Sequence, residues 1–174
     1  LPKTLKLNLF IACFALNIGF IFGQNRIDLK ATFDVPNKII SIAEEITYKN
    51  VTNDTLAIIY LNDWNNSFST KTTPLAKRFT EEYDSKFHFA KNNDRGYTNI
   101  TSIKDHLKNE LDYSRFKEHP DVIKVTLANA LTPGESYRIS LTYNVLIPSD
   151  TFTSYGVSDQ SEFNLKYWYT TPAI

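Results

Sequence analysis

Methionine is absent from the 174 residues, cysteine occurs once, at Cys13, and glycine five times. Lysine plus arginine (19) equals aspartate plus glutamate (19), so the formal net charge is +0. That balance leaves no basic surplus to attract nucleic acid or an acidic lipid surface. The few glycines show no phosphate-cradling spacing, so nucleotide binding has no motif to rest on. A lone cysteine forms no internal disulfide and builds no thiolate metal cluster. The three histidines, His88, His106 and His119, stand on separate stretches. None is spaced as the HExxH pair that sets two imidazoles on one helical face. Carboxylates adjoin at Glu44/Glu45 and Glu81/Glu82. Neighbours in a strand point to opposite faces, so the first pair cannot share a site. The second pair lies off the apolar stripe of a helix and reads as solvated. No catalytic residue, cofactor site or metal ligand is visible.

The first residues differ from the rest. Lys3 and Lys6 precede an apolar run from Leu7 to Phe22, and Gly23 is followed by Gln24, Asn25 and Arg26. A basic start, a short apolar stretch and a small residue make a secretory signal peptide over residues 1–23. The run is short for a span of roughly 20 residues, so no stable membrane span is expected after cleavage. Residues 24–174 would then contain no cysteine, and the product would be secreted, periplasmic or at the cell surface. The chain starts at Leu1 and stops at "WYTTPAI", which reads as a fragment of a longer polypeptide.

What the chain does have is aromatic residues, 14% of the total, and alternation. In "LTPGESYRISLTY" (131–143), Pro133 and Gly134 make a turn in which glycine accepts the positive φ of a type II geometry. Beyond it Tyr137, Ile139, Leu141 and Tyr143 share one face of a strand. Ile123, Val125 and Leu127 alternate before it, so the two runs are expected to pair as an antiparallel hairpin. Ile27, Leu29, Ala31 and Phe33 share a face of an earlier strand. The turn "DVPNK" leads to a second, with Ile40, Ile42, Ile46 and Tyr48. Glu44 falls in register with that apolar set and is expected where the strand twists to solvent or bulges. "LAIIYLN" reads as a strand buried on both faces.

"DWNNSFSTKTT" reads as a polar loop, and Thr73-Pro74 as a helix start. Leu75, Phe79 and Tyr83 would form its apolar stripe, ending near Asp84. Phe87 and Phe89 flank His88 as in a short extended segment. Tyr97 to Leu107 is a weakly alternating strand, "KNELDYSRFKEHPD" a connection, and "FNLKYWYTTPAI" a final aromatic strand. Asn50, Asn53, Asn65 and Asn99 head glycosylation-type triplets, common by chance in an asparagine-rich chain. The expected fold is mainly β: one sandwich or strongly twisted sheet with one short helix.

The order of these segments resembles a known family. "RIDLKATFDVPNKIISIAEEITYKNVTNDTLAIIYLN", then "VIKVTLANALTPGESYRISLTYNVLIP", then "LKYWYTTPA" is similar to the N-terminal domain of aminopeptidase N-like zinc metallopeptidases, the gluzincins, of the Bacteroidetes type. The resemblance covers nearly all of residues 26–174, and "DWNNSFSTKTTPLAKRFTEEY" looks like an insertion of that bacterial subgroup. It implies a saddle-shaped β-domain that packs on a catalytic domain and helps wall a cleft for peptide substrate. The family's HExxH helix, downstream glutamate and GAMEN-like strand have no counterpart here. Zinc is therefore implied for a catalytic domain outside this chain, and no ligand is carried onto these residues. Tyr167, Trp168 and Tyr169 would cover an interdomain surface, pack in the core of the last strand, or do some of each. The competing function is a free-standing secreted β-sandwich that binds carbohydrate or protein.

Overall fold

The computed structural model describes residues 25–173; the expected signal peptide lies outside them. Strands β1 (Arg26–Asp34) and β2 (Ile39–Lys49) form an antiparallel hairpin in continuous register from Arg26↔Thr47 to Asp34↔Ile39. The turn between them is tied by Asn37, whose side chain donates to Asp34 Oδ2 at 2.8 Å. Strand β3 (Leu56–Asn62) runs into a 3-10 turn at Trp64–Phe68, then helix α1 (Pro74–Glu81) and the single turn α2 (Lys86–Phe89). There follow β4 (Tyr97–Asp105), β5 (Tyr113–Arg115), β6 (Val122–Leu131) and β7 (Ser136–Leu146). Three two-residue strands close the chain: β8 (Gly156–Val157), β9 (Phe163–Asn164) and β10 (Thr171–Pro172).

Two antiparallel sheets result, ordered β1-β2-β7-β4 and β10-β3-β6-β5, with β8 and β9 as a separate small pair. The fold is mainly β, as the alternation requires. Ile40, Ile42 and Ile46 of β2, Ile103 of β4, and Ile139, Leu141, Tyr143 and Val145 of β7 face inward from the first sheet. Ile59 and Leu61 of β3 with Ile123, Val125 and Leu127 of β6 face inward from the second, and all belong to one core. Each fully buried aliphatic side chain contributes about 1.5–3 kcal/mol, so this interior dominates stability.

The expected β6–β7 hairpin does not form. β6 pairs with β3 and β5, whereas β7 pairs with β2 and β4. The turn itself is as read: Gly134 has φ 79°, and the Glu135 amide donates to the Thr132 carbonyl at 3.2 Å. It arches between layers because both flanking strands carry a fully apolar inner face, and placing those faces opposite each other buries both. Asn50 staples the arch. Its backbone exchanges hydrogen bonds with Gly134 and Glu135, and its side-chain amide donates to the Leu131 carbonyl at 3.0 Å.

Other expectations are corrected locally. β3 is not buried on both faces, since Ala57 and Tyr60 are exposed; Tyr60 stacks on Phe116 at 6.1 Å instead. Thr73 does cap α1, accepting from the Ala76 amide at 3.1 Å. The apolar stripe stops at Phe79, because Tyr83 lies past the helix end with φ 59° and is 96% exposed. Phe87 and Phe89 are not extended. They sit on α2, with Phe87 buried against Phe79 (5.5 Å), Phe152 (5.0 Å) and Phe68 (6.2 Å), and Phe89 exposed. The connection after β4 contains β5. The expected final aromatic strand is broken into β9 and β10, with Tyr167 between them at φ 54°.

Glu44 is neither at a bulge nor in solvent. It points into the core, 3% exposed, because two hydroxyls meet it there. Tyr143 donates to its Oε2 at 2.5 Å and Thr170 at 2.6 Å, while the Thr170 amide donates to the Tyr143 oxygen at 3.1 Å. Burial pushes the Glu44 carboxyl above its ordinary pKa, and the two hydroxyls only partly offset that. Glu45 faces the opposite way and reaches Arg138 at 3.5 Å.

Candidate functional site: an aromatic cleft beside a buried ion pair

The segment after β3 is polar in sequence yet buried in structure. Asp63, Asn65, Asn66, Ser67 and Phe68 are all buried, which the reading of this stretch as a polar loop does not anticipate. Buried polar groups persist only when their hydrogen bonds are made. Asp63 Oδ1 accepts from Thr98 of β4 at 2.7 Å, and Oδ2 from Arg115 of β5 at 2.6 Å. Arg115 also donates to the Pro120 carbonyl at 2.6 Å, as does the Asn66 side chain. Asn65 bonds the Leu146 carbonyl at 3.1 Å and accepts from Tyr155 at 2.7 Å. The 3-10 turn is thereby pinned to both sheets. Burial raises the Asp63 carboxyl's pKa, and the Arg115 guanidinium and Thr98 hydroxyl pull against that.

Close packing supports the same corner. A Cβ on Gly96 would sit 2.6 Å from Pro148 Cδ and 2.7 Å from the Leu146 carbonyl oxygen. Glycine is therefore required there by space. Phe68, held by the turn, packs on Tyr155 at 5.6 Å and on Trp64 at 5.9 Å.

This rigid corner forms one wall of a cleft of about 250 Å³, lined by Asn62, Trp64, Asp121, Tyr167, Tyr169 and Thr171. Trp64 is 36% exposed and Tyr167 61% exposed. Tyr167 also holds a left-handed backbone, which costs a residue with a Cβ about 1–2 kcal/mol. Asp121 accepts from the Ser67 hydroxyl at 3.1 Å through Oδ2, while its Oδ1 has no hydrogen-bond partner among the described residues.

The structure divides the three aromatic residues singled out in the sequence. Tyr167 and Tyr169 line the cleft, whereas Trp168 turns away to Phe33 (6.0 Å), which also meets Phe163 (5.9 Å). Trp168 and Tyr169 are half-buried against the core, whereas Tyr167 is exposed, so the run divides between surface and core. Trp64, Asn62 and Asp121 do not stand out in the sequence. Their signal is weak, since a tryptophan beside asparagines in a polar stretch looks like any loop.

No metal centre emerges among the described residues: no three of their His, Cys, Asp and Glu side chains gather as a ligand set. His88, His106 and His119 are all exposed and lie on α2, after β4 and before β6. The described residues therefore do not fit zinc. No helix of the described residues is long and apolar enough to cross a membrane. Of the glycosylation-type asparagines, Asn50 and Asn65 are buried with their amides engaged, while Asn53 and Asn99 are exposed.

No protein-family model matches the chain, and no curated protein matches it in sequence. Among solved structures, an M1 zinc metallopeptidase from Deinococcus radiodurans is similar at 16% identity and TM-score 0.40 over 70% of this chain and 19% of that one. A mutant of the Deinococcus radiodurans enzyme is similar at 16% identity and TM-score 0.43, covering 70% and 20%. A two-domain M1 zinc metallopeptidase mutant bound to L-arginine gives 16%, 0.43, 70% and 19%. The chain thus spans about a fifth of the length of the structures it is similar to.

Proposed function

We propose that this chain is the non-catalytic N-terminal domain of a secreted zinc aminopeptidase-like metallopeptidase, which packs on the catalytic domain and helps wall its substrate cleft. The observation that carries the reading is the order of the three segments that resemble that family. The first forms β1, β2 and β3; the second forms β6, the Pro133-Gly134 arch and β7; the third holds Tyr167, Trp168 and Tyr169. Exposed Phe33, Trp64 and Tyr167 give apolar area for an interdomain contact. The reading assigns zinc, its ligands and the reacting groups to the catalytic domain, because these residues offer no ligand set. Export by the residue 1–23 segment belongs to the same reading.

The reading frame beyond the codon for Ile174 is the test. An HExxH codon series within the next few hundred residues is expected. A stop codon soon after Ile174 overturns the reading in favour of a free-standing binding domain, for which the aromatic cleft is the supporting feature.

A further inference from the structure

The four sheet edges differ in what they offer another chain. In the second sheet the edge strands β5 and β10 have only three and two residues. In the first sheet β4 is bulged between Ile100 and Ser102, and its own chain occupies its edge. There the Leu111 amide donates to the Ile103 carbonyl at 2.8 Å, and the Asp105 amide to the Asn109 carbonyl at 3.0 Å. β1 is the long edge left open: nine residues in continuous register, with neither proline nor bulge. Such an edge is a template for a further strand.

The direction of its main-chain groups follows from β2. The Lys49 amide turns to the Asn25 side chain at 2.8 Å, and the Asn50 amide turns the other way, to the Glu135 carbonyl before β7. Main-chain bonds alternate sides along an antiparallel strand, so Ser41, Ala43, Glu45 and Thr47 bond their β1 partners Thr32, Lys30, Asp28 and Arg26. Ile27, Leu29 and Ala31 therefore hold their N–H and C=O groups at the open edge. Their side chains are half-buried; Ile27 and Ala31 pack on the core, whereas Leu29 does not join it. On the outer face Arg26, Asp28, Lys30 and Thr32 are exposed. Arg26 pairs with Asp28 at 2.8 Å, but Lys30, opposite Ala43, forms no salt bridge among the described residues. Asp28 stands opposite Glu45, a like charge.

We infer that β1 pairs antiparallel with β1 of a second copy of this chain about a two-fold axis at Leu29, joining the two copies' four-stranded sheets edge to edge. In that register Asp28 of each copy faces Lys30 of the other, in the close pairs that exchange no main-chain bonds. Arg26 faces Thr32, Ile27 faces Ala31, and Leu29 meets its own counterpart. The unpaired lysine gains a carboxylate, Asp28 gains a cation on the side away from Glu45, and Leu29 gains an apolar neighbour. Moving the axis fails on charge. At Lys30 it sets that lysine against itself, at Asp28 that carboxylate against itself, and at Ala31 it sets Asp28 against Asp34. Lysine on an edge strand ordinarily resists pairing. Here the same face of the same strand carries the counter-charge. Main-chain bonds supply the affinity and the charges fix the register. One strand pair is a small contact, so the dimer is weak and reversible. The paired segment, Arg26–Thr32, leaves out Phe33, Trp64 and Tyr167, and the inference does not depend on the metallopeptidase reading.

Charge exchange across the seam provides the assay. Sedimentation velocity of the 174-residue chain over a concentration series is expected to show a reversible monomer–dimer equilibrium. Asp28→Lys and Lys30→Asp each put like charges at both opposed pairs and should weaken dimerisation about ten-fold or more. Both residues are exposed, so folding is not at stake. Mixed one to one, the two variants complement each other and should pair within about three-fold of the wild-type strength, as should Asp28→Lys/Lys30→Asp by itself. The amides of Ile27, Leu29 and Ala31 should exchange more slowly as concentration rises. A chain that stays monomeric up to about 0.5 mM overturns the inference. Single variants that dimerise like the wild type also overturn it, since association through residues 1–23 or another edge would ignore both substitutions. A mixture no tighter than its separate components, or exchange at those three amides that is independent of concentration, would do the same.

Discussion

Replacing Tyr143 by phenylalanine removes one oxygen from the core and nothing else, yet it should be among the costlier changes in this chain. The Tyr143 hydroxyl is 2.5 Å from Glu44 Oε2 and accepts from the Thr170 amide at 3.1 Å, in a place shielded from water. A hydrogen bond to a charged group contributes about 1.5–3 kcal/mol, and a buried amide left without its acceptor costs about 1–3 kcal/mol more. Together these give a loss of about 2.5–6 kcal/mol for Tyr143→Phe when Glu44 is ionised. The pH dependence follows from burial of the carboxyl. Its folded pKa lies above the ordinary 4.5, so the native state holds a proton that the unfolded chain has already lost. Stability from Glu44 is therefore full below about 4.5 and declines as pH rises through the elevated folded value, by about 1.4 kcal/mol for each pH unit between the two. Glu44→Gln keeps an oxygen for both hydroxyls and cannot ionise, so its stability curve should be flatter over that window. Urea unfolding followed by tryptophan fluorescence, at a series of pH values from about 4 to 8, measures both effects. A Tyr143→Phe loss below about 0.5 kcal/mol, or wild-type and Glu44→Gln curves of equal slope, would refute the reasoning.

Three further outcomes follow from the corner beside the cleft and from the helix. Arg115→Met should cost about 3–5 kcal/mol in urea unfolding, because it leaves Asp63 buried and unpaired; adding Asp63→Asn should restore part of that loss. Gly96→Ala should cost about 1–3 kcal/mol, since the new methyl meets Pro148 and the Leu146 carbonyl inside normal contact distance. Thr73→Ala removes the cap on the Ala76 amide and should cost about 1 kcal/mol, read as a fall in the urea midpoint.

The strands are legible because each carries one buried face, and apolar residues at a period of two fit a half-buried strand and no helix. What alternation does not encode is the partner. A turn such as Thr132–Glu135 serves a hairpin and an arch equally well, and the flanking residues read the same in both. The choice is made by β2, which pairs with β7 along its length and is 87 residues earlier at Lys49↔Ser136. Glu44 shows the same limit: its position in the pattern points inward, its chemistry argues outward, and position wins. The donors that make this tolerable, Tyr143 and Thr170, are 99 and 126 residues away. The Trp64–Phe68 turn reads as a loop because all its side chains except Phe68 are hydrophilic or amphipathic. Its burial depends on acceptors at Leu146 and Pro120 that no local pattern reveals. The aromatic run at 167–169 is legible as a group, but its division between cleft and core requires the left-handed turn at Tyr167.

The function proposed above makes this chain a docked scaffold, with its aromatic end against a catalytic domain. Hydrogen exchange compares the 174-residue chain with the product of the full reading frame, segment by segment. Added protection confined to residues 62–68 and 163–171 in the longer protein is the result expected. Identical exchange over those segments in the two proteins would contradict the account.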